Sequence, residues 1–80
     1  MTRDEVYKKL NEVFHDVFDN DQITLSDATT AKDIQMWDSL MHVTLISEIE
    51  DAFNIRFNMK DIPQMNNVGQ MVDKIVELVQ

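Results

Sequence analysis

Trp37-Asp38-Ser39-Leu40-Met41-His42-Val43-Thr44-Leu45-Ile46-Ser47-Glu48-Ile49-Glu50-Asp51-Ala52-Phe53 is the stretch that decides how the chain folds. Leu40, Val43, Ile46, Ile49 and Phe53 recur at helical spacing, which predicts an amphipathic helix entered at Asp38 or Ser39. These five are expected to face inward, with Leu45 at least partly covered. Met41, Thr44, Ser47, Glu48 and Asp51 are expected to look outward. Asp38 as N-cap puts Ser39 in the first turn, with its hydroxyl outside the buried stripe and near free backbone N–H groups. A phosphate on that hydroxyl would lie where a helix end favours negative charge. Asp-Ser ahead of an apolar run is also an ordinary capping arrangement, and these two residues alone do not separate the readings.

Working outward, Thr2-Arg3-Asp4-Glu5 has the form of a capping box, and Val6, Leu10, Val13 and Val17 follow at helical spacing, widened by Phe14 and Phe18. A first helix should end near Phe18. His15 sits at the border of its stripe and reads as a half-exposed helix histidine. Asp19-Asn20-Asp21 begins like a calcium loop, but Ile23 stands where an oxygen ligand is needed and no turn glycine follows. Residues 19–37 form a long connection, in which Ile23 and Leu25 should tuck against the bundle and Thr30-Ala31-Lys32-Asp33 should make a short capped turn pinned by Ile34. Trp37 fits an apolar anchor and the border of a partner surface, and an aromatic can be both.

Beyond Phe53, Ile55 and Phe57 alternate in an extended linker, since one strand has nothing to pair with. Asp61-Ile62-Pro63 predicts a short third helix reaching about Met65, capped by Asp61. Asn67 should cap a last helix whose inward face is Val68, Met71, Val72, Ile75, Val76 and Val79, with Gly69 allowing a close helix approach. The expected fold is all-α: a small four-helix bundle of three longer helices, a short third one and a long loop between helices one and two. Residues 1–80 read as one domain.

Fifteen acids against seven Lys and Arg leave a formal charge of -8. That field repels phosphate backbones, so nucleic acid is an unfavourable partner, whereas proteins with basic patches are attracted. No run is long and apolar enough to span a bilayer, and no signal-peptide core stands near residue 1, so a cytoplasmic protein is expected. Without cysteine there is no disulfide framework, thiolate ligand or cysteine nucleophile. His15 and His42 are the only histidines, so no metal site is expected. His42 lies three residues after Ser39, yet no nucleophile elbow precedes the serine. No catalytic residues are expected, and the chain reads as no enzyme.

Trp37-Asp38-Ser39-Leu40, the helix ending Glu50-Asp51-Ala52-Phe53, Ile55 and Phe57 beyond it, and the apolar final helix together resemble the acyl carrier protein family over nearly the whole chain. The resemblance implies a bundle of acyl-carrier type. A separate phosphopantetheinyl transferase would attach 4'-phosphopantetheine from coenzyme A covalently to Ser39. The arm's thiol would carry an acyl group as a thioester, with Asp38 and Leu40 flanking the attachment point. Leu40, Val43, Ile46 and Ile62 would border an apolar cleft. Trp37, Met41, His42, Thr44, Glu48 and Asp51 would meet acyl- or aminoacyl-loading and processing enzymes with basic docking patches. Met41 and Thr44 stand where the fatty-acid branch carries acids, and Met36-Trp37 where it carries Gly-Ala. These departures favour a stand-alone member of a specialised pathway. An aminoacyl, D-alanyl or peptidyl carrier stays open, as does an unmodified acidic helical adaptor. A monomer is the default, because no helix shows a second apolar face.

Overall fold

The computed structural model describes residues 1–65 and 67–79. Its helices are α1 (Arg3–Phe18), α2 (Ser39–Phe53) and α3 (Val68–Val79), with one 3-10 turn at Ile62–Gln64. The expected four-helix bundle is therefore corrected to a small all-α bundle of three helices. The fourth fails because its expected cap is drawn away. Asp61, the expected cap, makes no capping bond and instead pairs with Lys74 Nζ at 3.3 Å. Met65 N–H reaches back only to the Ile62 carbonyl, at 3.4 Å. One tightened turn fits before Asn67 starts α3.

The termini of the helices follow their sequence signals. Thr2 and Glu5 close a full capping box on α1, and the backbone N–H of Thr2 on the Glu5 carboxylate holds the Glu5 pKa below its usual value. Asp19 (φ 50°) and Asn54 (φ 55°) end α1 and α2 in the left-handed conformation, which asparagine and aspartate tolerate best after glycine. Asn67 Oδ1 accepts from Gln70 N–H at 2.8 Å.

Helix α1 packs against both α2 and α3. Val6, Leu10 and Phe14 from α1, Leu45 and Ile49 from α2, and Val68, Met71, Val72 and Ile75 from α3 are fully enclosed. The inward face of α2 differs from the expected one. Leu40 is 80% and Val43 68% exposed, whereas Leu45 is covered as expected, and wholly so. The buried stripe runs back from Phe53 through Ile49 and Leu45/Ile46 to half-buried Met41 and His42. Leu40 and Val43 instead share the outer side of the helix with Thr44, Ser47, Glu48 and Asp51. Apolar residues occur on both faces of the first two turns, so periodicity there admits two phases, and the tertiary packing selects the other one.

The long connection between α1 and α2 is tied down along its length. His15 Nε2–H donates to the Ile23 carbonyl at 2.9 Å, Leu25 and Ile34 are buried, and Thr30 and Asp33 close the expected turn through Thr30 N–H to Asp33 Oδ2 at 2.9 Å. Further along, Val68 N–H donates to the Thr29 carbonyl at 2.8 Å and Gly69 N–H to the Asp27 carbonyl at 3.1 Å. The loop thereby caps α3. Gly69 permits a close approach of this loop, not of another helix: a Cβ there would stand 2.9 Å from Asp27 Cβ. Asp27 also meets Arg3 at 2.7 Å and accepts from the Tyr7 hydroxyl. Arg3 completes the cluster by pairing with Asp73 on α3.

Two measurements check this arrangement. Gly69→Ala should destabilise the fold by about 1–3 kcal/mol, as an extra carbon forced into a close-packed contact does; chemical denaturation reads it. Burial, and then the bond to Asp27, push the Tyr7 pKa from 10.0 up to about 12. A raised folded pKa gives stability that is complete below pH 10, where the unfolded phenol is still protonated, and that is lost as pH rises from 10 to about 12. Tyr7→Phe should flatten the fall of stability in that window. Lys74, whose pKa is raised by its bond to Asp61, leaves a residual slope.

Candidate functional site

The site is built by the last residues of the connection and the first turn of α2. Trp37 N–H closes a turn on the Ile34 carbonyl at 3.3 Å, which places Met36 at the position where a type II turn requires positive φ, and Met36 has φ 74°. Methionine is strained there, where glycine would not be. The compensation is next door. Trp37 is 8% exposed and meets Phe14 edge-on with ring centres 5.3 Å apart, and Phe18 at 6.2 Å. Its indole Nε1–H donates to His42 Nδ1 at 3.0 Å. Of the two expected roles for Trp37, the anchor is the one its burial supports.

With Trp37 fixed, Asp38 is set as the N-cap. Its Oδ1 accepts from Met41 N–H at 2.9 Å, and its carbonyl accepts from His42 N–H at 2.8 Å. Ser39 is the first residue of α2 and is exposed, and its hydroxyl makes no hydrogen bond among the described residues. The N–H groups of Ser39 and Leu40 likewise have no acceptor among them. An anion on Ser39 Oγ would meet two unpaired donors at the positive end of a helix.

Beside Ser39 lies an open cleft of about 490 Å³ lined by Ala31, Trp37, Asp38, Ser39, His42, Ile62, Pro63 and Met65. Of the residues expected to border an apolar cleft, Ile62 does so. Leu40 and Val43 point to solvent, and Ile46 is in the core. The expected partner-facing residues divide. Thr44, Glu48 and Asp51 are exposed on the outer face of α2, Met41 and His42 are half-buried, and Trp37 is buried.

Glu50, whose charge near the C-terminus of α2 opposes the helix dipole, has a structural use: its Oε2 accepts from Phe57 N–H at 2.8 Å and holds the following linker. Sequence reasoning missed the Trp37–His42 bond. The spacing of five along the chain, with tryptophan at N′ and histidine on the inward side of the helix, was the available signal. Among the described residues no three His, Asp or Glu side chains gather as a metal site.

A three-helix bundle with an exposed serine at a capped helix start beside an open cleft has the build of a carrier-type domain. The comparisons with known proteins agree. Residues 8–75 match the family model described as "Phosphopantetheine attachment site". Two relatives named acyl carrier protein align along nearly their full lengths. The one from Guillardia theta is 35% identical, covering 99% of this chain and 98% of its own. The one from Rubrobacter xylanophilus is 29% identical, covering 96% and 95%. In three dimensions the chain is similar to the solution structure of holo acyl carrier protein from Geobacter metallireducens, with a TM-score of 0.86 and 36% identity over 91% of this chain and 84% of that one. The chain belongs to the acyl carrier protein family, with its phosphopantetheine-attachment domain and carrier function.

Asp38→Ala should cost about 1 kcal/mol through the lost cap on Met41 N–H. Urea denaturation of the variant against the parent protein measures it, and equal midpoints would show that the carboxylate does not hold the start of α2.

Proposed function

We propose that Ser39 Oγ carries 4'-phosphopantetheine, attached by a phosphopantetheinyl transferase from coenzyme A, and that residues 1–80 form a single acyl carrier domain without catalysis of its own. The observation that carries this reading is the exposed Ser39 at the capped start of α2, with the N–H groups of Ser39 and Leu40 unpaired beside it. The residues fit the group. A phosphodiester there gains two backbone donors and the helix dipole, and the cleft of about 490 Å³ leaves room alongside for the start of the arm. When attached, the arm's thiol holds an acyl group as a thioester, and a thiol is what this cysteine-free chain cannot itself supply.

The protein's part is presentation. Its charge of -8 draws in partners with basic patches, and Glu48 and Asp51 place part of that charge on the outer face of α2. Nearer Ser39 the same face offers Leu40, Val43 and Thr44, so the transferase and the acyl-loading and processing enzymes would meet an apolar rim before the acids. That surface, with the Trp37–His42 pair behind it, supports service in a dedicated pathway over housekeeping fatty-acid synthesis. Among the described residues no helix is long and apolar enough to cross a membrane.

Intact mass after incubation with coenzyme A and a promiscuous phosphopantetheinyl transferase tests the assignment. The parent protein should gain one phosphopantetheine and Ser39→Ala none, while its circular dichroism and thermal midpoint stay close to the parent's because the residue is exposed. Labelling that persists in the variant would move the attachment elsewhere. A folded parent protein that gains no mass would leave an unmodified acidic adaptor as the better reading.

A further inference from the structure

We infer that His42 is a positioning residue for the group on Ser39, donating its Nε2–H to a non-bridging oxygen of the phosphodiester. This rests on the loading of Ser39 proposed above. The starting observation is that Trp37 Nε1–H donates to His42 Nδ1 at 3.0 Å. A ring nitrogen that accepts carries no proton, so the neutral imidazole holds its proton on Nε2. The two ring planes lie within 19° of each other, and Trp37 is itself clamped by Phe14 and Phe18. Tautomer and ring orientation are thus set together by a buried group.

The other edge of the imidazole is the part left to face outward, and His42 lines the same cleft as Asp38 and Ser39. Nε2 has no partner among the described residues. Ser39 and His42 stand three apart on α2, a spacing at which side chains are neighbours on one side of a helix. The first group beyond Ser39 Oγ is the phosphate, which places the anion, not the distant thiol, within reach of the ring.

Charge sharpens the need for such a donor. The anion would form next to the Asp38 carboxylate on a protein of net charge -8. No Lys or Arg is among the residues lining the cleft. Trp37 Nε1–H is already engaged, so His42 Nε2–H is the side-chain N–H available there among the described lining residues. A hydrogen bond to an ionised phosphate is about twice as strong as one between neutral groups. The contact would hold the base of the arm over the cleft and leave its outer part free for partner enzymes.

Phosphorus and nitrogen NMR of the loaded protein test this, with two substitutions that separate the ring's two nitrogens. His42→Asn keeps an acceptor near the Nδ1 position for Trp37 and removes the distal donor. His42→Gln places an amide nitrogen near the Nε2 position. In the parent protein, long-range 15N–1H spectra should show the Nε2–H tautomer before and after loading, with Nε2 and its proton shifting on loading. The 31P line should move toward that of a free phosphodiester in His42→Asn and return toward the parent value in His42→Gln. Loading that leaves Nε2 unmoved, with the same 31P shift in the parent and His42→Asn proteins, overturns this inference alone. A parent protein that gains no mass overturns the loading of Ser39 and this inference with it.

Discussion

Two backbone hydrogen bonds, from Val68 and Gly69 of α3 to the carbonyls of Thr29 and Asp27, are the constraint on which the rest of the structure depends. A helix start leaves its first N–H groups without partners, and a long connection leaves carbonyls without donors. Here each supplies what the other lacks. The Asn67 side chain takes the Gln70 N–H, so the loop is needed for the two N–H groups before it. Closing the bonds requires the loop backbone to approach α3 more tightly than any Cβ would allow, hence the one glycine of the chain at position 69. Arg3, Tyr7 and Asp73 then gather around Asp27 and bind the same point of the loop to α1 and α3. These ion pairs are substantially exposed, and exposed pairs contribute little individually. Their part is to orient the loop that the backbone bonds hold.

Once the middle of the connection is held, its end has little freedom, and the strain at Met36 becomes intelligible. A non-glycine residue in the left-handed region costs about 1–2 kcal/mol. Burying a large aromatic side chain such as Trp37 returns more than that, at about 25 cal/mol for each Å² of apolar surface removed from water. The packing of Trp37 on Phe14 and Phe18 therefore wins over the backbone preference of Met36. The winning interaction also fixes the backbone at Asp38 and the phase of α2. With Trp37 in the core and bonded to His42, the inward side of the first turns must pass through His42. Leu40 and Val43 are left in solvent.

That competition marks the limit of what was legible in the sequence. The helices at both ends were legible because their caps are local: Thr2 with Glu5 and Asn67 with Gln70 state where α1 and α3 begin, and single stripes such as Val6–Leu10–Val13 state what they bury. Asp38 and Ser39 were legible for the same reason. The inward face of α2 was not, because Leu40 and Val43 make as good a stripe as Met41 and Leu45 until Trp37 is placed, and Trp37 is placed by α1. The short third helix failed because Asp61 had two possible partners, the backbone ahead of it and Lys74 on α3. Only the fold brings Lys74 within 3.3 Å. Gly69 was recognised as a point of close approach, but the loop that approaches is remote in sequence.

The phase of α2 bears directly on how a carrier of this build is recognised. In the expected phase its outer face would have been polar beyond Met41, and long-range charge would have been its main means of attracting enzymes. In the observed phase the face changes character along its length, with Leu40 and Val43 exposed nearest Ser39 and Glu48 and Asp51 beyond them. Charge steers encounter over a distance of about 8–10 Å in physiological salt, and it acts mainly on association rate. Apolar contacts act only on touching, and they govern how long a complex lasts. Placing the apolar pair next to the serine and the acids further off separates the two tasks. On the function proposed above, partner enzymes would be gathered by the far end of the helix and retained at the near end, beside Ser39. The same burial of Trp37 that orients His42 toward the cleft is what turns Leu40 and Val43 outward. The inner support of the site and its outer contact surface are therefore set by one side chain.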